Sequence, residues 1–135
     1  MGYSGKIPKN TSIVLDDGTI NIFGGAFNDQ WHLTNITIPN TVIYIGDIAF
    51  RQCWALTNIV IPNSVTFIGM MAFLQCYGLK SLTIPNSVNE IGENAFELCT
   101  GLKEVIFEGS EQDWNSIKMD DKTRSRLKPV LKFTK

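Results

Sequence analysis

The chain has 135 residues, 44% hydrophobic and 19% charged, and a net charge of −1. That length suits one domain with a real core, and the composition excludes wholesale disorder. No apolar run approaches the ~18 residues that span a bilayer. The opening MGYSGKIPKN shows no hydrophobic signal segment and misses the myristoylation pattern at Lys6.

Along the chain, an irregular unit at 10–32 leads into three units in register. These are LTNITIPNTVIYIGDIAFRQCWA (33–55), LTNIVIPNSVTFIGMMAFLQCYG (56–78) and LKSLTIPNSVNEIGENAFELCTG (79–101). Ten of the 23 columns are identical in all three, and Ile13, Leu15, Ile22, Ala26 and Phe27 fall on matching columns of the first unit. A truncated copy, LKEVIFEG, fills 102–109. A fixed period of this length marks a repeat array, in which each unit buries its apolar residues only against its neighbours.

Numbering columns from Leu33 gives each a physical role. In LxxIxIP, columns 4 and 6 alternate with polar residues, which predicts a short strand with one buried face. Pro39, Pro62 and Pro85 end that strand, because proline has no N–H to donate. Asn40, Asn63 and Asn86 then suit a turn in which a carboxamide bonds the backbone. VxxIG predicts a second short strand or extended bend, with Gly46, Gly69 and Gly92 expected at a corner of positive φ. AFxxC reads as a tight turn or 3₁₀-like segment that places Phe and Cys inside. Columns 1, 4, 6, 10, 13, 17, 18 and 21 therefore face inward, and columns 12, 15 and 19 outward. Coils stacked at the ~4.8 Å strand spacing form a solenoid.

The pattern L-x-x-I-x-I-P-x-x-V-x-x-I-G-x-x-A-F-x-x-C resembles the BspA-like leucine-rich repeats of bacterial surface proteins, over roughly residues 10–118. The ending VIFEGSEQDWNSI resembles that family's C-terminal finish. The resemblance implies a right-handed leucine-rich-repeat solenoid, mainly β, with short 3₁₀ or turn segments on the opposite side. It also implies an extracellular or cell-surface location and a role in adhesion or protein binding, not catalysis. On this reading the solenoid occupies 1–117, and a capping helix at 110–118 follows the last partial repeat.

Both ends carry terminator signals, as an open solenoid end would expose a strand edge. DDGT (16–19) replaces the Pro-Asn corner in the first unit, and Ser110 with Asp113 is a capping-box signature opening a short helix. Trp114 and Ile117 are placed to cover the last coil. Residues 118–135 form a basic C-terminal tail of net charge +5, against −6 for the rest. No stacking aromatics interleave those bases, so the tail is expected to be a solvated terminal segment, not a nucleic-acid site, with a final strand within 128–133.

Catalytic signatures are absent from the sequence. His32 is the one histidine and has no evident nucleophile beside it, and no HExxH, phosphate loop or G-x-S-x-G occurs. Cys53, Cys76 and Cys99 share an inward column, which makes them buried small hydrophobes. A serine hydroxyl in that column is expected to lack a partner, so alanine should be the milder replacement. A zinc site needs a fourth ligand, and none shares the column, so no metal or cofactor is implied.

Function is therefore sought on the surface. Columns 12, 15 and 19 read Tyr44, Asp47 and Arg51 in one unit and Phe67, Met70 and Leu74 in the next. In the third they read Glu90, Glu93 and Glu97. The acidic version is read as what solubility alone requires. Tyr44, Phe67, Met70 and Leu74 thus make a candidate protein-contact patch, with weak self-association as one outcome. Column 22 supplies Trp31, Trp54 and Tyr77, a row on which sugar rings could stack or which simply covers the coil edge. The reading is a non-catalytic protein-binding module, adhesin-like and directed at a host or matrix protein. A carbohydrate-binding module and a structural spacer of a longer array are the alternatives.

Overall fold

The computed structural model describes residues 7–135, so most of the opening MGYSGKIPKN lies outside the described residues. Each coil makes one strand on a first face and a two-residue strand on a second. The first-face strands are β1 (Thr11–Val14), β3 (Leu33–Thr37), β5 (Asn58–Val60), β7 (Ser81–Pro85) and β9 (Glu104–Glu108). The second-face strands are β2 (Asn21–Ile22), β4 (Tyr44–Ile45), β6 (Phe67–Ile68) and β8 (Glu90–Ile91). All pairings are parallel, and β4, β6 and β8 pair residue for residue one repeat apart, as in Tyr44↔Phe67↔Glu90. The second sheet runs unbroken as β2-β4-β6-β8, whereas the first divides into β1-β3 and, with a last strand β10 (Leu131–Phe133), β10-β9-β7-β5.

The eight inward columns are buried in the complete coils. Phe27, Phe50, Phe73 and Phe96 stack as a column of parallel rings with centroids 5.3, 5.1 and 5.3 Å apart. One strand spacing per coil places identical side chains directly over one another, so a single well-packed choice repeats along the axis.

The corner and the third side differ from expectation in two ways. At the corner, the column-10 valine N–H bonds the proline carbonyl, for example Val65 N to Pro62 O at 3.1 Å. It is the column-9 hydroxyl, not the asparagine, that ties the corner to the coil before it. Thr41, Ser64 and Ser87 donate to Thr19, Val42 and Val65 carbonyls at 2.6–2.7 Å. The column-14 glycines do not carry the positive φ. That conformation falls on columns 16 and 20, at Ile48, Met71, Asn94, Asp29, Gln52, Gln75 and Leu98. Glycine is needed in column 14 because the coils touch there. A Cβ on Gly46 would lie 2.5 Å from Gly24 N, and one on Gly69 2.5 Å from Asp47 N.

Between columns 15 and 21 the backbone alternates its bonds. Ile48, Phe50 and Gln52 donate to the next coil (Met70, Ala72 and Leu74 carbonyls), while Ala49, Arg51 and Cys53 donate three residues back. Successive turns closed this way pair every N–H from Ile48 to Cys53, as a buried backbone requires.

The cysteines are free and buried, and each thiol donates to the phenylalanine carbonyl of the preceding coil: Cys53 to Phe27, Cys76 to Phe50, Cys99 to Phe73, at 3.1–3.2 Å. An acceptor therefore already exists for a serine hydroxyl, which overturns the expectation that serine is the worse replacement. Burial pushes the Cys53 thiol from 9.0 up to about 12. Its neighbour Cys76 is raised as well, by its contact with the Cys99 thiol and by burial.

The C-terminal segment is not a solvated tail. Helix α1 (Glu111–Asn115) starts with a closed capping box between Ser110 and Asp113. It buries Trp114 edge-on to Phe107. Lys118 then adds one bridge to the second sheet beside Glu90, and α2 (Asp121–Leu127) buries Leu127. A single 3₁₀ turn at Lys128–Val130 leads into β10 (Leu131–Phe133), which pairs parallel with β9. Arg124 staples the two helices by donating to Trp114 O at 3.1 Å and Ile117 O at 2.7 Å. Glu97 receives Lys122 at 3.0 Å and Arg126 at 2.7 Å, and Lys118 stands 3.9 Å from Glu90. Two of the three acidic outward positions thus anchor the chain's own basic cap; they are not there for solubility alone. Lys122 and Arg126 hold the Glu97 carboxyl below its ordinary 4.5.

Gly69→Ala should cost roughly 3 kcal/mol or more, since backbone and not a flexible side chain blocks the methyl; a neutral result in urea unfolding would refute the close approach. Cys76→Ser should cost no more than Cys76→Ala, each about 1–2 kcal/mol. In the native protein all three thiols should resist alkylation, and rapid labelling would contradict the buried column. Because Cys53 is raised in the folded state, its contribution is complete below the unfolded thiol value and is lost as pH rises from 9 toward about 12. Cys53→Ala should flatten that decline. Glu97→Gln should cost about 1 kcal/mol at neutral pH and low salt. As Glu97 is lowered in the folded state, the wild-type advantage should vanish as pH falls through the folded-state value, and in high salt. An advantage indifferent to both would show that the ion pairs do not hold the cap.

Candidate interaction surface

The outward positions of the second face are held by the two-residue strands, whose alternate residues (Ile22, Ile45, Ile68, Ile91) are locked in the core. Tyr44 and Phe67 consequently project side by side from β4 and β6. Their rings stack at 4.7 Å with planes 3° apart. Tyr44 is 37% exposed and Met70 41%. Phe67 and Leu74 are half-buried, Phe67 lying between Tyr44 and Glu90 in the ladder. Asp47 borders the patch and accepts the Met70 N–H at 2.8 Å.

The sequence reading overlooked three residues that enlarge this patch. Ile20 and Ile43 occupy column 11 of adjacent coils, joined by the bond from Ile43 N to Ile20 O at 2.8 Å, and both are exposed. Phe23, 62% exposed, stands in the glycine column of the first coil. The signal was available: an apolar residue in a column that is polar elsewhere (Thr66 and Asn89 at column 11), and a phenylalanine where stacking demands glycine. The cap lies on the coil that carries Glu90 and Glu97, so it contacts the acidic end of this face.

Column 22 lies on another side of the coil. Trp31 and Trp54 stack at 4.9 Å with planes 4° apart, and Trp54 meets Tyr77 at 6.1 Å and 41°. Gln52 donates to Gln75, which donates to the Tyr77 hydroxyl, at 2.8 and 2.9 Å. Each ring is about two-fifths exposed. The parallel stack commits one face of Trp54 to Trp31, while Tyr77 meets Trp54 at a tilt.

The first face is neutral at Asn35, Thr37, Asn58 and Val60, and the break between β3 and β5 opens a cleft of about 300 Å³ among them. Among the described residues, no group of three or more His, Cys, Asp or Glu side chains is placed to share a metal ion. No described helix is long and apolar enough to cross a membrane.

Comparison with known proteins agrees with this architecture. A leucine-rich cell surface protein from Faecalibacterium prausnitzii A2-165 superposes with a TM-score of 0.66 at 27% identity, over 86% of this chain and 38% of its own. A leucine-rich-repeat protein from Bacteroides ovatus ATCC 8483 gives 0.71 at 26% identity, over 92% and 30%. A T. pallidum leucine-rich-repeat protein gives 0.62 at 28%, over 73% and 59%. The chain therefore spans between 30% and 59% of the length of these structures. No curated protein matches it. The family model for the BspA type leucine rich repeat region matches six copies across residues 5–119, and with 23-residue coils, parallel sheets and bacterial relatives in agreement, the chain belongs to the BspA-type leucine-rich-repeat family.

Proposed function

We propose that the chain is a non-catalytic protein-binding module of adhesin type, working at a bacterial cell surface, and that the second face is its docking surface. The observation that carries this reading is the contiguity of exposed apolar side chains on a rigid sheet. Tyr44, Phe67, Met70, Ile43 and Ile20 sit on strands and turns whose inner residues already fill the core, so they are not needed there for folding. Exposed patches of this kind mark contact sites, and methionine adapts to a partner's shape. The cell-surface location draws on the relative whose description names it.

Burying three such side chains contributes roughly 1.5–3 kcal/mol each, which association costs of several kcal/mol largely offset. Self-pairing through the patch alone should thus be weak, with a dissociation constant on the order of millimolar. Light scattering across a concentration series should give the monomer mass at low concentration. A panel of host-surface and matrix proteins should contain a binder for the wild type. Tyr44→Ser/Phe67→Thr/Met70→Asn should weaken that binding at least about tenfold while the melting temperature hardly moves. Undiminished binding by that variant would place the docking surface elsewhere.

A further inference from the structure

The chemistry of the docking face selects among partners. Columns 7 to 16 of the four coils, which run from the corner through the second strand, contain five acids and no Lys, Arg or His. Those acids are Asp16, Asp17, Asp47, Glu90 and Glu93, and all but Glu90 are exposed. They rim the apolar patch at both ends: Asp16 and Asp17 beside Ile20, Asp47 between Tyr44 and Met70, Glu93 beyond Met70. Among the described residues the lysines and arginines lie outside these columns: Arg51 stands in column 19, one coil from Leu74 at the margin of the patch, and the others are Lys9, Lys80, Lys103 and those of the cap.

The chain also shows what this acidic end takes. Lys118 of the cap joins the second sheet next to β8, its N–H bonding Asn89 O and its carbonyl accepting from Ile91 N, both at 2.9 Å, with its ammonium near Glu90. A basic segment is thus seated on the edge of the same sheet. Glu93 and Asp17 carry no cation in the structure's ion pairs.

Building on the docking reading above, we propose that the occupant of the second face is a cationic amphipathic segment of another protein: aliphatic or aromatic side chains that cover Tyr44, Phe67 and Met70, flanked by lysines or arginines that reach Asp17, Asp47 and Glu93. A second copy of this chain is the poorer occupant. Face-to-face pairing would bring Asp17, Asp47 and Glu93 of each copy against like charges, with Arg51 the one cation among the outward positions of the apolar coils. An acidic partner fails for the same reason.

The test uses the whole chain and two short synthetic peptides of identical leucine spacing, one with lysine and one with glutamate at the polar positions, titrated by fluorescence anisotropy at low and high salt. The lysine peptide should bind at least about tenfold more tightly at low salt, and the preference should shrink as salt rises. Asp17→Lys/Glu93→Lys should abolish the preference, and Phe67→Thr/Met70→Asn should lower the affinity for the lysine peptide, both with unchanged melting temperatures. Val60→Asn on the first face should change nothing. Equal binding of the two peptides through the second face would overturn the cationic assignment and leave the docking surface standing. A preference that survives the double charge reversal would place the cation site elsewhere and overturn the proposal. So would no binding of the lysine peptide, and the protein-panel experiment then decides the docking surface separately.

Discussion

The structure depends on one constraint: successive coils approach to a single strand spacing everywhere around the turn, including the side that is not a strand. Column 14 shows how tight this is. The Gly46, Gly69 and Gly92 N–H groups bond the carbonyl of the preceding coil at 2.7–2.8 Å, and the space a Cβ would take is filled by that coil's backbone. Given this contact, the phenylalanine stack, the alanine beside it and the cysteine column follow. Each side chain must fit directly over its own copy, so column identity is conserved along the axis within this one chain. Positive φ at non-glycine residues in columns 16 and 20 is accepted on the same account, since those turns must aim alternate N–H groups at the neighbouring coil.

A stack of this kind has a problem only at its ends. At the C-terminal end the solution is electrostatic as well as apolar. Trp114, Ile117 and Leu127 close the core, β10 continues the first sheet and Lys118 the second, and Glu97 gathers Lys122 and Arg126. The charge separation between the two parts of the sequence is thereby an internal one: the basic segment neutralises acids of the last full coil. The cap leaves the apolar coils of the second face untouched.

The outward columns are free of the stacking constraint, and they are where the coils differ. Positions that are glutamate next to the cap are Tyr44, Phe67 and Met70 on the coils away from it. The same scaffold position can thus hold a cation of the chain itself or offer an apolar contact to another molecule. The stacked Tyr44 and Phe67 rings are ordered by the ladder beneath them, so a partner would meet a surface already fixed in shape, with little ordering entropy to lose.

The repeat period, the eight inward columns and the strand positions were legible in the sequence because each reflects a local rule repeated from coil to coil, and the capping box at Ser110 and Asp113 because it is itself a local signature. The outward patch at Tyr44, Phe67 and Met70 was legible by subtraction from the inward columns. Other features had no such signal. The role of the column-14 glycines, the hydroxyl bonds of Thr41, Ser64 and Ser87 and the thiol bonds to phenylalanine carbonyls all depend on the distance between coils, which residue spacing does not report. The destination of the basic segment likewise needed three dimensions. Charge along the chain says that Lys118, Lys122 and Arg126 seek acids, but only the stacked geometry brings Glu90 and Glu97 to them and leaves the acid-rimmed apolar face of the earlier coils uncovered. Period and polarity are properties of a single strand of residues. Which faces are left for a partner is decided by how the coils and their cap fill space against one another.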